Sequence, residues 1–158
     1  MKKLILLLAL SFIPIAGLSP EAGVKVLTIT RPEPIYIYGL RDPFKRAVAY
    51  YESRLDPRVE NRVTKARGLL QITQGMITEV NRLSRRLGLS VRYTWHDAWD
   101  PVKSIEMWDI VMGYWNPDNY YDRAVRIWFG TGVQYDGKTW ESYYNDVMEI
   151  CSQFANHD

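Results

Sequence analysis

The sequence predicts an all-α domain preceded by a short extended N-terminal arm. Five segments place apolar residues at helical spacing, and each is bounded by residues that start or stop helices. The connections between them are short, with no repeats and no low-complexity tracts. A chain of 158 residues that is 47% hydrophobic has material for a core that needs neither disulfides nor metals.

Residues 1–19 read as a secretory signal. Lys2 and Lys3 form a charged start, Leu4 to Ile15 is apolar apart from Ser11 and Pro14, and Ala16, Gly17 and Ser19 supply small residues for cleavage. The apolar run is shorter than the ~20 residues of a membrane-spanning helix, so removal is favoured over a retained anchor. No cysteine lies near the cleavage region, which excludes a lipoprotein anchor. The reading expects an exported chain, placed in a bacterial periplasm or cell envelope, with no integral membrane span once the signal is gone.

Residues 20–41 form the arm. Val24 to Thr30 alternates in polarity and is followed by Pro32 and Pro34, so it reads as extended chain with at most one short strand. The domain proper is residues 42–158. Asp42-Pro43 is a helix start, and Phe44, Ala47, Val48, Tyr51 and Leu55 form the first apolar stripe. Asp56-Pro57 is expected to end that helix, because a residue before proline is pushed out of the α region. Residues 58–67 read as a basic polar loop.

A second helix is expected from Leu69 to Leu87, with Ile72, Met76, Val80, Leu83 and Leu87 inward and Gly88 closing it. Asp100-Pro101 starts a third, lined by Val102, Ile105, Trp108, Met112 and Trp115 and broken by Asn116-Pro117-Asp118. Tyr120 to Phe129 is a fourth, ended by Gly130-Thr131-Gly132. Thr139 caps the last, whose stripe is Tyr143, Val147, Ile150, Cys151 and Phe154.

The net charge of +2 vanishes once Lys2 and Lys3 are removed, which argues against nucleic acid as a partner. One cysteine, Cys151, excludes an internal disulfide and a multi-cysteine zinc site, and two histidines make a histidine metal cluster a poor reading. No cofactor or metal is expected. Residues 52–92 carry nine Lys/Arg against four Asp/Glu, while residues 93–158 carry four against eleven and hold all six Trp. Opposed charges of this kind form either the walls of a cleft or two solvated faces. Arg82, Arg85 and Arg86 read as a solvated helix face that could also attract anionic polymers. His96-Asp97 is not read as a catalytic dyad, since adjacent residues rarely face each other and no nucleophile motif accompanies them.

The informative segment is Glu52 to Ile72, ESRLDPRVENRVTKARGLLQI. Glu52 stands at the C-terminal end of the first helix beside an apolar stripe. Its helical neighbours at i±3 and i±4 offer no cation. The helix dipole, partial burial and Asp56 all push its pKa upward, toward the protonated state a general acid needs. Taken alone, a Glu at a helix end is more often a fraying surface residue.

This segment resembles the soluble lytic transglycosylases, lysozyme-like enzymes that cleave peptidoglycan. The matching residues are Glu52-Ser53, the turn Asp56-Pro57, and Gly68-Leu69-Leu70-Gln71-Ile72 preceded by Ala66-Arg67. More loosely, Trp99-Asp100-Pro101 with Ile105 resembles the Asp-Pro-x-x-Asn-Ile helix start of that family, and the run from Ala124 to Gly132 resembles its third motif. The likeness spans about residues 42–150. Three departures accompany it. The loop between Glu52 and Gly68 is about one residue longer, Asn61 stands near a serine position, and Phe129 replaces an asparagine.

The resemblance implies a lysozyme-like fold and cleavage of the β-1,4 bond between N-acetylmuramic acid and N-acetylglucosamine, giving a 1,6-anhydro sugar. Glu52 is then the single catalytic acid. Gln71 binds substrate from its helix, Gly68 permits a close backbone turn, and Ser53 supports the loop around Glu52. Asn61 helps orient Glu52, and Trp128 forms a cleft wall. A late tyrosine near the acid corresponds to Tyr144 or to Tyr143. Tyr143 lies on the apolar stripe, so Tyr144 is the one expected in the site. Phe129 either faces the cleft or packs in the core, its spacing from Val125 permitting both. The partner implied is the peptidoglycan glycan strand, met by a monomer, with envelope or secretion machinery a further partner. Ordinary glycosidases need two carboxylates at set separation. The motif supplies one firmly, since Asp56 is too near in the chain and Glu60 lies in the loop. A non-catalytic envelope module on the same fold and a hydrolytic muramidase are the alternatives.

Overall fold

The computed structural model describes residues 39–130 and 139–156. The chain divides into Met1–Pro34 and Ile35–Asp158, and every described residue belongs to the second unit. The expected signal and all of the arm before Gly39 therefore lie outside the described residues, as do Thr131 and Gly132. Among the described residues there are five α-helices and no strand: α1 (Pro43–Ser53), α2 (Gln74–Arg86), α3 (Pro101–Trp115), α4 (Tyr121–Phe129) and α5 (Trp140–Ala155). A 3-10 helix, Trp95–Trp99, joins α2 to α3. No helix among these residues is long and apolar enough to cross a membrane.

Three of the expected starts are built as side-chain caps. Asp42 accepts from the Phe44 backbone N–H at 2.9 Å, Asp100 from Val102 at 2.9 Å, and Thr139 from Ser142 at 3.3 Å. Gly88 adopts φ +71° after α2, so its N–H bonds the Arg85 carbonyl while that of Leu89 reaches Ser84. That pairing satisfies two carbonyls that the helix end would leave open.

The ends of α1 and the start of α2 differ from the expectation. α1 stops at Ser53, before Asp56-Pro57, because Arg54 and Leu55 both take left-handed backbone conformations (φ 56° and 64°). Leu55 is thus off the helix, half-buried against the core. α2 begins at Gln74 and not at Leu69. Thr73 is its cap, accepting from the Met76 N–H at 3.2 Å. Residues 68–72 instead make a tight turn, in which Gly68 and Gln71 have positive φ. The apolar residues there still go inward: Leu69, Leu70 and Ile72 are fully buried, which is why their spacing imitates a helix. On α2 the buried face is Ile77, Val80, Leu83 and Ser84, whereas Leu87 is exposed. On α3, Val102 and Trp115 are likewise exposed, and Met107 and Val111 take the inward positions.

The core gathers α1, α3 and α5 around these residues. α1 lies against α5, bringing Val48 and Ala49 together with Val147 and Cys151 in one buried cluster. The 3-10 helix is an element beyond the five expected helices, and it carries a capping box: Asp97 accepts from the Thr94 backbone N–H at 2.7 Å. Asp97 also pairs with Lys103, which holds its carboxyl down at about 2, while His96 is exposed. Asp97 is thereby committed to capping, in keeping with the reading that this pair is not a dyad.

Candidate active site

α1, α4 and α5 converge on a pocket of about 350 Å³, closed on its other side by residues 61–76. Glu52, in the last turn of α1, lines it together with Tyr51, and Trp128 and Phe129 come from the end of α4. Tyr143, on the first turns of α5, completes this side, its ring edge-on to Tyr51 at 4.5 Å and 5.4 Å from Phe129. Trp128 leans on the buried Trp108 of α3 at 4.5 Å, which fixes the indole as a wall.

Glu52 is the one carboxyl group that lines this pocket among the described residues. Burial raises its pKa to about 7, and the Tyr143 hydroxyl, donating to Glu52 Oε1 at 2.7 Å, acts in the opposite direction. The dominant cause is loss of water around a group that no cation among the described residues compensates. The carboxyl therefore exchanges a proton near neutral pH, and its ionised form has a fixed donor waiting. Asp56 is occupied elsewhere: it accepts from the Arg58 backbone and guanidinium, which hold it below the usual carboxylate range. Glu60 is bound to Arg67 at 2.9 Å.

The opposite wall is built from non-helical chain. Glu60 and Ile72 each form an antiparallel bridge with Arg67, and the Asn61 N–H bonds the Ala66 carbonyl at 2.8 Å. Arg67 fastens this segment to the 3-10 helix, its guanidinium lying over the Trp95 and Trp99 rings at 4.5 and 5.3 Å. Residues 58–67, expected to be a polar loop, are thus a pinned tongue.

The expected site residues fall into two groups. Asn61, Gln71 and Trp128 line the pocket with Glu52. Asn61 uses its side-chain oxygen to cap its own turn, accepting from Val63 and Thr64 N–H at 2.9 and 3.0 Å, and is not bonded to Glu52 through that atom. Gln71 reaches the pocket from the turn and not from a helix. Its Nε2 donates to the carbonyls of Val59 and Gly68 at 3.1 and 3.0 Å. Two carbonyl partners settle which end of the amide is nitrogen, leaving Oε1 as an acceptor for whatever enters.

Ser53, Gly68 and Tyr144 lie behind the lining. Ser53 is buried and its hydroxyl bonds the Leu69 carbonyl at 2.8 Å, tying the end of α1 to the turn that carries Gln71. Gly68 has φ +74°, and a Cβ there would stand 1.8 Å from the Ala98 carbonyl oxygen, so only glycine allows the turn to lie against the 3-10 helix. Tyr144 packs half-buried on the core and is not part of the pocket, so Tyr143 replaces it as the tyrosine beside the acid. The stripe position that made Tyr143 look structural is what brings it to α1, because α5 packs its stripe on the helix that ends in Glu52. Phe129 lies on the lip of the pocket, half-buried, with one part on Tyr143. The pocket also takes Thr64 and Thr73, which sequence spacing did not single out, and Met76, which it placed on the inward stripe of the second helix. No family model, no curated protein and no solved structure matches the chain.

Proposed function

We propose that the chain is an exported peptidoglycan lytic transglycosylase of lysozyme-like fold, acting in the periplasm or cell envelope. The observation that carries the reading is a single carboxyl group in the pocket, uncharged up to about pH 7 and, among the described residues, without a second carboxylate in the lining. Retaining and inverting glycosidases need two such groups. A transglycosylase needs one, used twice. Protonated Glu52 gives its proton to the glycosidic oxygen as the bond from C1 of N-acetylmuramic acid breaks. The resulting carboxylate then takes the proton of the muramyl C6 hydroxyl, whose oxygen bonds to C1 and closes the 1,6-anhydro ring. Glu52 ends as it began, protonated.

The surrounding groups suit this sequence of roles. The Tyr143 hydroxyl steadies the carboxylate between the two halves of the reaction. Gln71 Oε1 is placed to accept an acetamido N–H or a hydroxyl of the sugar, and Trp128 supplies a flat apolar wall. Ser53 and Gly68 act on the substrate only through the turn they hold.

Mass analysis of peptidoglycan digested by the purified chain tests the reading. Anhydro-muramyl ends are expected, and Glu52→Gln is expected to abolish their release. Reducing ends would make the chain a hydrolytic muramidase. Intact glycan would make it a non-catalytic module on the same scaffold.

A further inference from the structure

The pocket accounts for Trp128 but not for a second tryptophan, Trp115, at the C-terminal end of α3. The residue is 47% exposed, yet its side chain is not loose. Its indole N–H donates to Glu79 Oε1 at 3.2 Å, and Tyr114 meets it edge-on at 4.8 Å. Arg82 grips the same Glu79 through two bonds of 2.7 Å, so the carboxylate that anchors the indole is itself held in place.

The position of Glu79 relates this indole to the pocket. α2 contributes Met76 to the pocket lining, and Glu79 follows three residues later on the same face of that helix. The step along the axis is about 4.5 Å, comparable with the length of one pyranose ring. Trp115 is thus bonded to the turn of α2 that follows the pocket-lining Met76. The pocket itself, at about 350 Å³, is too small for a polymer, which must continue beyond it.

We propose that Trp115 is an outer platform on which a sugar ring of the glycan strand stacks, one to two residues beyond the pocket along α2. The inference rests on the transglycosylase reading and adds to it a preference for strands over short fragments. The chemistry of the spot fits a carbohydrate better than a protein partner. One aromatic face stands among polar groups, with Glu79 and Arg82 as acceptor and donor for hydroxyl and acetamido groups. Beyond Tyr114, which meets it edge-on, the neighbours Gly113 and Pro117 add no bulky apolar surface, and stable protein contacts need a far larger apolar centre. Because the indole is already oriented by Glu79 and Tyr114, stacking a sugar on it costs little ordering entropy.

The test is calorimetric titration of the full chain, inactivated by Glu52→Gln so that nothing is cut, with disaccharide and octasaccharide fragments of peptidoglycan. Adding Trp115→Ala is expected to weaken octasaccharide binding about tenfold while leaving the disaccharide unchanged. Trp115→Tyr, which keeps an aromatic face, is expected to recover most of that loss. An Ala variant that binds both fragments like its parent would overturn the platform and leave the pocket reading standing. Equal weakening for both lengths would overturn it too, since Trp115 would then act through the pocket. If the parent binds neither fragment, the transglycosylase reading falls and the platform falls with it.

Discussion

On one side of the pocket, Tyr51, Glu52, Trp128, Phe129 and Tyr143 hang from three helices whose backbones are satisfied by their own hydrogen bonds. On the other, Asn61, Thr64, Ala66, Gln71 and Ile72 come from a tongue held by two isolated bridges, side-chain bonds to carbonyls and three left-handed residues, Lys65, Gly68 and Gln71. The helical wall supplies the acid and the aromatic surfaces. The tongue supplies polar atoms and depends on backbone conformations that few residues adopt. One wall should therefore tolerate changes of side chain, and the other should fail when its backbone is disturbed.

The largest effect is expected in the tongue. Gly68→Ala puts a Cβ against the Ala98 carbonyl and forces an L-residue into the left-handed region. Strain and overpacking together should cost about 2–5 kcal/mol, lowering the melting temperature by on the order of 10 °C. Circular dichroism melts read it directly. Helical signal retained with a melting point unchanged from wild type would mean that the turn does not bear on the 3-10 helix as drawn.

The same contrast explains what the sequence reveals of the molecule. The capped starts at Asp42, Asp100 and Thr139 are visible because a cap is a local bond between neighbouring residues. The start of α2 is not, because Leu69, Leu70 and Ile72 are buried by a turn and apolar spacing records burial without recording its cause. Glu52 and Gln71 stand out through the motif, while the role of Tyr143 depends on how α5 docks on α1, ninety-one residues away in the chain. Thr94 with Asp97 three residues later is a local signal of the same kind for the 3-10 helix, since it too is a bond between near neighbours.

On the helical wall, Phe129→Asn should be milder. The ring is half-buried on the pocket lip, so the amide that replaces it can reach water, and the loss is that of its contact with Tyr143. About 1–2 kcal/mol is expected, well short of the cost of opening a hole in the core. A denaturant midpoint shifted as far as that of Gly68→Ala would show that the aromatic lip is as brittle as the tongue, and the contrast between the walls would be lost.

The smallest change in stability, and the sharpest in kind, is expected for Tyr143→Phe. The ring stays, so the packing on Tyr51 and Phe129 is kept and only the bond to Glu52 is lost, a matter of about 1 kcal/mol. That bond favours the carboxylate, so its removal should move the pKa of Glu52 further above 7. The sign follows from which state holds the proton. In the unfolded chain Glu52 ionises near 4.5, whereas the folded chain keeps it protonated to about 7. Its contribution to stability is complete below 4.5 and is lost as pH rises to about 7. In Tyr143→Phe the decline should continue to higher pH. In Glu52→Gln, which cannot ionise and still accepts from Tyr143, this decline should disappear. Melting temperatures of the three proteins between pH 4 and 9 check the series, and superimposable curves for wild type and Tyr143→Phe would mean that the tyrosine does not govern the acid. Turnover should follow the same order, its alkaline limb falling near pH 7 in wild type and later in Tyr143→Phe.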